Sequence, residues 1–477
     1  MSKVLIVGGS VAGLATALAL TELGHEVRIL ERDPNPPPDT VEAAHRDWAR
    51  PTVPQASHSH AFASLGVNLL RERAPHVYAA LVEAGAAEIQ LGERMPPTLD
   101  DRTPDPSDTE LNMLGARRST FELVLRTAVL RREGVTLERG VTVRGLELSG
   151  GRVTGLRLDD GSTVAADLVV DASGRRTGVS KWLAEADVPV AEDQVHSCDI
   201  TYYTRFYRSL TGGRPVGPLN RGFGAGGLWD HYTGVMFLGD NGTFSVSLGV
   251  LPDDGPMKLL RGESAFTAAV LATPLLAPWI APGNAEPISD VHAMGGLDNS
   301  LRGAATTAQR PVPGLFIVGD AACTTNPAYG RGVSLALAHA YLLADTLTEH
   351  PEAGEAQSRA FAAATERLLL PWFHEAVQND RGRGGMWRAT VNGVKLGPPP
   401  TDQVNFGTVA AAAGTDAFLW RRLVRVMMML STPDSVYADE EVTVRVKRAL
   451  TGGGHGPALP PAPSRDELVA VVAEAAG

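Results

Sequence analysis

Residues 4–33, VLIVGGSVAGLATALALTELGHEVRILERD, constrain this chain more than any other stretch. Val4-Leu5-Ile6-Val7 is apolar at every position, as a parallel strand covered on both faces is. Gly8, Gly9 and Gly13 follow, then a helix-length segment rich in Ala and Leu. A second apolar run, Val27-Arg28-Ile29-Leu30, ends at Glu31. The pattern predicts a β-α-β unit with a glycine turn between strand and helix. Gly8 permits the tight turn, and Gly13 lets helix and strand approach. Bare backbone near Ser10 opens the helix N-terminus to a pyrophosphate, where the helix dipole favours negative charge. Glu31 stands where a carboxylate accepts hydrogen bonds from ribose hydroxyls. Ser10 replaces the middle glycine of G-x-G-x-x-G, a mild departure because serine is small.

A chain of 477 residues exceeds one simple core, so two domains or one elaborated domain are expected. The net charge of −11 argues against a nucleic-acid surface. Cys198 and Cys323 are the only cysteines and lie far apart. They predict neither a disulfide framework nor a zinc site, and a reducing cytoplasm is the simplest setting. The first strand begins at once, without the basic region and cleavage site of a signal peptide. No apolar run reaches the roughly 18 residues of a membrane span.

Further along, Pro34 to Pro54 reads as a proline-rich loop, and a helical pattern passes through Leu65, Leu69 and Leu70. Residues 96–110 read as an exposed loop. A helix is predicted over Ser119–Arg132, with capping-box spacing at Ser119 and Glu122 and an apolar face of Phe121, Leu125 and Val129. Strands are expected over 135–148 and 153–158, around Gly150-Gly151. Asp167 to Asp171 is another buried-strand signature, ending in Ala172-Ser173-Gly174-Arg175. Residues 196–252 alternate, with a hairpin signal at Asp240-Asn241-Gly242. They predict a mixed or antiparallel sheet that could wall a substrate. A helix is expected over 264–280. Gly314 to Asp320 is again a buried strand, followed by a loop to Gly330 and a helix over 332–347. The remainder reads as mostly helical, with a Gly/Pro interruption at 393–400, a linker at 451–463 and a short terminal helix.

Two nucleotide-type features so distant in sequence require one explanation. A nicotinamide dinucleotide needs only the first; an FAD is long enough to need both. The Asp320 carboxylate suits ribityl hydroxyls. The helix beginning at Gly332 would aim its positive end, roughly half a unit charge, at the flavin pyrimidine edge. Gly330 and Gly332 would let backbone approach the ring.

Val4–Arg32, Asp167–Arg175 and Gly314–Ser334 together resemble FAD-dependent monooxygenases of the para-hydroxybenzoate-hydroxylase type, especially the subgroup shared with bacterial polyketide epoxidases and flavin-dependent halogenases. The resemblance implies an α/β fold: an FAD-binding, Rossmann-type (glutathione-reductase-like) domain over 1–195 and 301–350, a mixed β-sheet substrate domain over 196–300, and a helical C-terminal part over 351–477. It implies that Gly8, Gly9, Ser10, Val11, Ala12 and Gly13 serve the pyrophosphate, and Glu31 and Arg32 the adenosine end. Arg118 would contact the phosphate region, with Val143 a further cofactor contact, and Asp320 would bind ribityl and pyrophosphate. Pro327, Gly330, Arg331, Gly332 and Val333 would lie beside the isoalloxazine. The chemistry implied is oxygen transfer from a flavin hydroperoxide, hydroxylating or epoxidising an apolar small molecule such as a polyketide or aromatic intermediate of antibiotic biosynthesis. No side chain is singled out as catalytic.

Ser173-Gly174 stands where such hydroxylases usually carry Asp-Gly, so NADPH or NADH is expected to act either directly or through a separate flavin reductase. The Trp-x-Trp-x-Ile-Pro stretch of halogenases is missing, and Trp229-Asp230-His231-Tyr232 does not replace it. Two rivals are a flavin dehydrogenase or reductase, and an FAD-scaffolded cyclase. His58 and His60 lack a third metal ligand nearby, and a flavin or substrate contact and plain packing are weighed equally for them. Trp372, Phe373, His374, Asp380 and Arg381 are expected to serve helix packing before a substrate entrance. Met427, Met428 and Met429 read as core or a soft pocket wall before a binding box. Cys323 reads as a small buried hydrophobe.

Overall fold

The computed structural model describes residues 2–212, 214–395, 397, 403–451 and 460–477. The opening segment forms β1 (Lys3–Val7), α1 (Val11–Glu22) and β2 (Glu26–Glu31). With β3 (Val135–Arg139), β4 (Leu168–Asp171) and β5 (Leu315–Ile317) they build a five-stranded parallel sheet in the order β5-β4-β1-β2-β3. Ile6 and Ile29 are fully buried, as continuous apolar runs in a two-sided parallel sheet should be. α1 is buried along nearly its whole length, which its all-round apolar character requires. It packs against α2 (Arg118–Leu130) and α3 (Gly332–Glu349).

The register places Val7 beside Asp171 and Asp171 beside Ile317. The three motifs therefore meet at the carboxyl edge of one sheet, the edge at which open α/β sheets bind ligands.

Some local expectations are revised. The stretch 135–148 is two strands in different sheets. β3 ends at Arg139, Gly140 turns the chain at φ 74°, and Val143–Ser149 starts a three-stranded antiparallel sheet with Arg152–Leu158 and Thr163–Ala165. The predicted helix over 264–280 is two, Glu263–Leu271 and Ala277–Ile280. Pro274 explains the break, since it lacks an N–H and disfavours helical backbone before it. The Pro34–Pro54 loop contains a helix, Val41–Asp47, capped by Thr40. α2 begins at Arg118 with no side-chain cap, and the Ser119 hydroxyl has no hydrogen-bond partner, so no capping box forms.

The second layer is a six-stranded sheet centred on Thr201–Ser209 and Thr243–Val250. Every pairing in it is antiparallel, so of the two alternatives the antiparallel one is realised. Asn241 (φ 52°) and Gly242 (φ 69°) make the predicted hairpin turn, with the two positive φ angles of a primed turn. One face of this sheet carries Tyr203, Tyr207, Val246 and Leu248 in a separate core. The terminal helix Arg465–Ala476 docks there through Leu468 and Val472. The opposite face carries Thr204, Ser245 and Ser247. α4 (Glu355–Val391) crosses behind α3 and reaches the Asp298–Leu301 strand. Residues 396 and 398–400 of the predicted interruption, and 452–459 of the predicted linker, lie outside the described residues. Among the described residues no helix is long and apolar enough to cross a membrane.

Candidate functional site

The turn after β1 is built by exclusion of side chains. Gly8 has φ 102°, and a Cβ there would lie 2.6 Å from the Ala172 carbonyl oxygen. A Cβ on Gly13 would lie 1.9 Å from the Gly8 carbonyl oxygen. Strand and helix thus touch backbone to backbone. The first-turn N–H groups of α1 have no intrahelical partner and face the carboxyl edge of the sheet.

Ser10 has a use that glycine could not have. Its Oγ accepts from Arg118 Nη2 at 2.9 Å and donates to Glu122 Oε2 at 3.0 Å. Glu122 is buried on α2 among Arg50, Arg118 (3.2 Å) and Arg126 (3.6 Å). Burial alone would raise its carboxyl, but the three guanidiniums outweigh that and hold it below the usual range. Arg50 also lies 3.3 Å from Asp33 and stacks over Trp48. Arg50, Glu122 and Arg126 stand behind the cavity wall and brace Ser10 and Arg118, a cluster that the sequence reading did not assemble. The helical spacing of Arg118, Glu122 and Arg126, four residues apart, was the available signal.

Glu31 differs from expectation in part. Its Oε2 accepts from the Gly9 N–H and its Oε1 from the Asp33 N–H, both at 2.8 Å. Each carboxylate oxygen keeps a second lone pair, and Glu31 still lines the cavity. In the middle motif, the Ser173 N–H donates to buried Asp171 at 2.9 Å and its hydroxyl at 2.5 Å.

At the other end, Gly319 turns at φ 61° and its N–H donates to His339 Nδ1 at 3.2 Å. His339 Nε2 lies 2.9 Å from Thr365 Oγ1. Burial lowers this imidazole to about 3, so it is neutral with its proton on Nε2. Asp320 lines the cavity, and burial pushes its carboxyl up against the pull of Arg118 and Arg175. The loop then runs through Asn326, whose side chain caps the Ala328 N–H, to Gly330 at φ 64°. Arg331 lines the cavity, with its guanidinium engaged by the protein. Its guanidinium is buried in an ion pair with Glu375 and lies over the rings of Tyr329 and Trp372. α3 starts at Gly332.

One cavity of about 630 Å³ joins these parts, within the range of small-molecule sites. It runs from Glu31, Arg32 and Val143 past Gly8, Ser10, Val11 and Ala12. It continues past Arg118 and Asp320 to Pro327, Gly330, Arg331, Gly332 and Val333. Gly9 and Gly13 are not in the wall; they shape it from behind.

Gln55, His58, Ser59 and His60, with Ala293 and Met294 of the second sheet, supply the far wall. His58 Nδ1 lies 2.9 Å from Thr204 Oγ1, and burial lowers its ring to about 4. His60 Nδ1 donates to the His58 carbonyl at 3.0 Å, and burial lowers this ring to about 3. Both histidines line the cavity as neutral groups. Among the described residues no three His, Cys, Asp or Glu side chains could hold a metal ion.

Other residues fall elsewhere. Trp372 and Phe373 are buried core, as are Met428 and Met429. Arg381 Nη2 lies 3.3 Å from His196 Nδ1 in an exposed contact. Asp380 is buried in a polar network. Cys198 and Cys323 are free and buried, and burial pushes both thiols up, away from thiolate chemistry.

The residues present fit an FAD. Gly8 and Gly13 let the start of α1 sit tight against β1 and the Ala172 backbone, with Ser10, Val11 and Ala12 in the cavity wall. Arg118 Nε is buried beside the helix N-terminus without a hydrogen-bond partner.

Comparison with known proteins agrees. The tryptophan halogenase family model matches residues 43–189. Protein Rv3254 of Mycobacterium tuberculosis is 26% identical over 93% of this chain and 92% of its own length. The flavin-dependent brominase Bmp2 superimposes with a TM-score of 0.59 at 14% identity, covering 94% of this chain and 98% of its own. PqsL, a probable FAD-dependent monooxygenase from Pseudomonas aeruginosa, gives 0.58 at 12% identity over 82% and 99%. The myxobacterial chondrochloren halogenase CndH gives 0.57 at 19% identity over 98% and 99%. This chain therefore has the α/β fold shared by FAD-dependent monooxygenases and flavin-dependent halogenases.

Proposed function

We propose that this protein is an FAD-dependent monooxygenase that hydroxylates or epoxidises an apolar small molecule, such as a polyketide or aromatic biosynthetic intermediate. The observation that carries the reading is the single cavity that reaches both the β1–α1 turn and the N-terminus of α3. The N–H groups after Gly8, with Arg118, would hold the diphosphate, and Glu31 the ribose. Asp320 would take the ribityl hydroxyls, and the α3 N-terminus would stabilise negative charge on the ring. FAD bound there would supply, once reduced, the activation of molecular oxygen. The protein's own part is to position the substrate against the ring and to exclude water. His58 and His60 stay neutral in the wall, because burial lowers both rings, so they offer polarity there without charge.

The departure from Asp-Gly at Ser173-Gly174 favours indirect reduction over direct reduction by NADPH or NADH. Ser173 itself is held by Asp171; on this reading, electrons from NADPH or NADH would come through a partner flavin reductase. Two free, buried cysteines accord with a reducing cytoplasm.

The test has two steps. The purified protein should show a flavin visible spectrum, and anaerobic NADPH alone should bleach it slowly. Candidate apolar substrates are then turned over under oxygen-18 with a flavin reductase. Label in the product supports oxygen transfer, and an unlabelled oxidised product would convert the assignment to a dehydrogenase. A second reading, halogenation, is favoured by the family match over residues 43–189. Bromide in the same assay separates it, because a halogenase returns a brominated product without oxygen-18.

A further inference from the structure

We infer that Asp380, on α4, is a positioning residue for the flavin-edge loop 326–332, an assignment that rests on the FAD reading above. Asp380 is essentially buried, at 1% exposure. Its Oδ1 accepts from Asn326 Nδ2 at 2.7 Å, from the Tyr329 hydroxyl at 2.8 Å and from Arg383 Nη1 at 2.6 Å. Its Oδ2 accepts from Asn299 Nδ2 at 2.7 Å. Four donors thus converge on one carboxylate, and two of them belong to the loop that lines the cavity.

The geometry leaves little freedom. Asn326 Oδ1 accepts from the Tyr202 hydroxyl at 2.7 Å and from the Ala328 N–H at 3.0 Å. Turning the amide over would set its NH₂ against two donors, so the Asn326 orientation is determined. Asn299 Oδ1 likewise accepts the Asn326 N–H at 2.8 Å. The loop is therefore held at Asn326 and at Tyr329, just before the left-handed turn at Gly330. Tyr202 comes from the second sheet, Asn299 from the Asp298–Leu301 strand and Asp380 from α4, so three parts of the molecule meet on the flavin-edge loop. A carboxylate suits this place because it only accepts. An asparagine at 380 would bring an NH₂ group against a donor in either orientation.

The experiment compares wild type with Asp380→Asn, Tyr329→Phe and the exchange Asn299→Asp/Asp380→Asn. The exchange keeps every hydrogen bond and reverses the direction of one, between 299 and 380. FAD affinity is read from quenching of flavin fluorescence, loop geometry from the visible spectrum of bound FAD, and folding from the melting of the FAD-free protein. Asp380→Asn should weaken FAD binding about tenfold or more and shift the flavin bands, with the exchange restoring affinity to within about threefold. Tyr329→Phe, which leaves Arg383 and α4 in place, keeps the test usable if Asp380→Asn does not fold. It should shift the bands with little change in melting. Unchanged affinity and spectrum in Tyr329→Phe and Asp380→Asn would overturn the assignment, as would an exchange variant no better than the single one. A wild type that takes up no FAD would overturn both this assignment and the functional reading.

Discussion

Gly13→Ala is the sharpest probe of the cofactor cradle. The added Cβ would sit 1.9 Å from the Gly8 carbonyl oxygen, where ordinary contact begins at 3.4 Å. The shortfall is about 1.5 Å, and both partners are backbone, so no side chain can swing aside. α1 must move away from β1, yet it is buried nearly throughout and packed on α3. Overpacking of this kind costs about 3 kcal/mol or somewhat more. A shift of that size also carries the first-turn N–H groups beyond hydrogen-bond reach of a diphosphate. Losing one such charge-assisted bond, at about 1.5–3 kcal/mol, weakens FAD binding roughly 10- to 100-fold. Gly24→Ala is the matched control at the other end of the same helix. Gly24 has φ 79° but nothing within 4 Å of its Cβ position, so only backbone strain of about 1 kcal/mol is expected, with FAD affinity unchanged. Melting of the FAD-free protein and flavin-fluorescence titration read the two effects separately. The reasoning fails if Gly13→Ala binds FAD within threefold of wild type, or melts no lower than Gly24→Ala.

Three other outcomes are expected. His339 is lowered to about 3 from an ordinary 6.5, so its contribution to stability is complete above pH 6.5 and is lost as the pH falls from 6.5 toward 3. Each unit is worth about 1.4 kcal/mol; His339→Gln, able to accept from Gly319 and donate to Thr365, should flatten acid melting over that window. Glu122→Gln leaves Arg50, Arg118 and Arg126 around a neutral group and should cost about 3–5 kcal/mol, read by denaturant unfolding. Glu375→Gln leaves the Arg331 guanidinium buried beside a neutral group and should lower stability by a similar amount, read by denaturant unfolding, with flavin-fluorescence titration showing a change in FAD affinity.

The glycine turns at the sheet edge were legible because their shape demands a backbone property that one residue type supplies. Gly8, Gly319 and Gly330 adopt positive φ, Gly13 is a close approach, and the apolar runs at Val4, Leu168 and Leu315 are buried strands. Ser10 and Glu122 were legible only in part. Ser119 and Glu122 have capping-box spacing, but the Glu122 carboxylate serves Ser10 and three arginines instead. Local propensity favoured a cap, and the tertiary ion cluster won.

Asp380 shows why the rest was hidden. Its partners Asn299, Asn326 and Tyr329 lie 81, 54 and 51 residues away. No periodicity links them, and each alone is an ordinary polar residue. What joins them is the path of α4 behind α3, which is decided by packing. Among α4 residues only Leu369 reaches the cavity wall, so a search for cavity-lining side chains passes over the helix. Yet Glu375 and Asp380 grip Arg331, Asn326 and Tyr329 from behind. A buried carboxylate satisfied by four donors is costly to disturb, which makes the outer helix a determinant of where the inner loop stands. The helical C-terminal part, least informative as sequence, is thereby tied to the 326–332 loop at one end of the cavity.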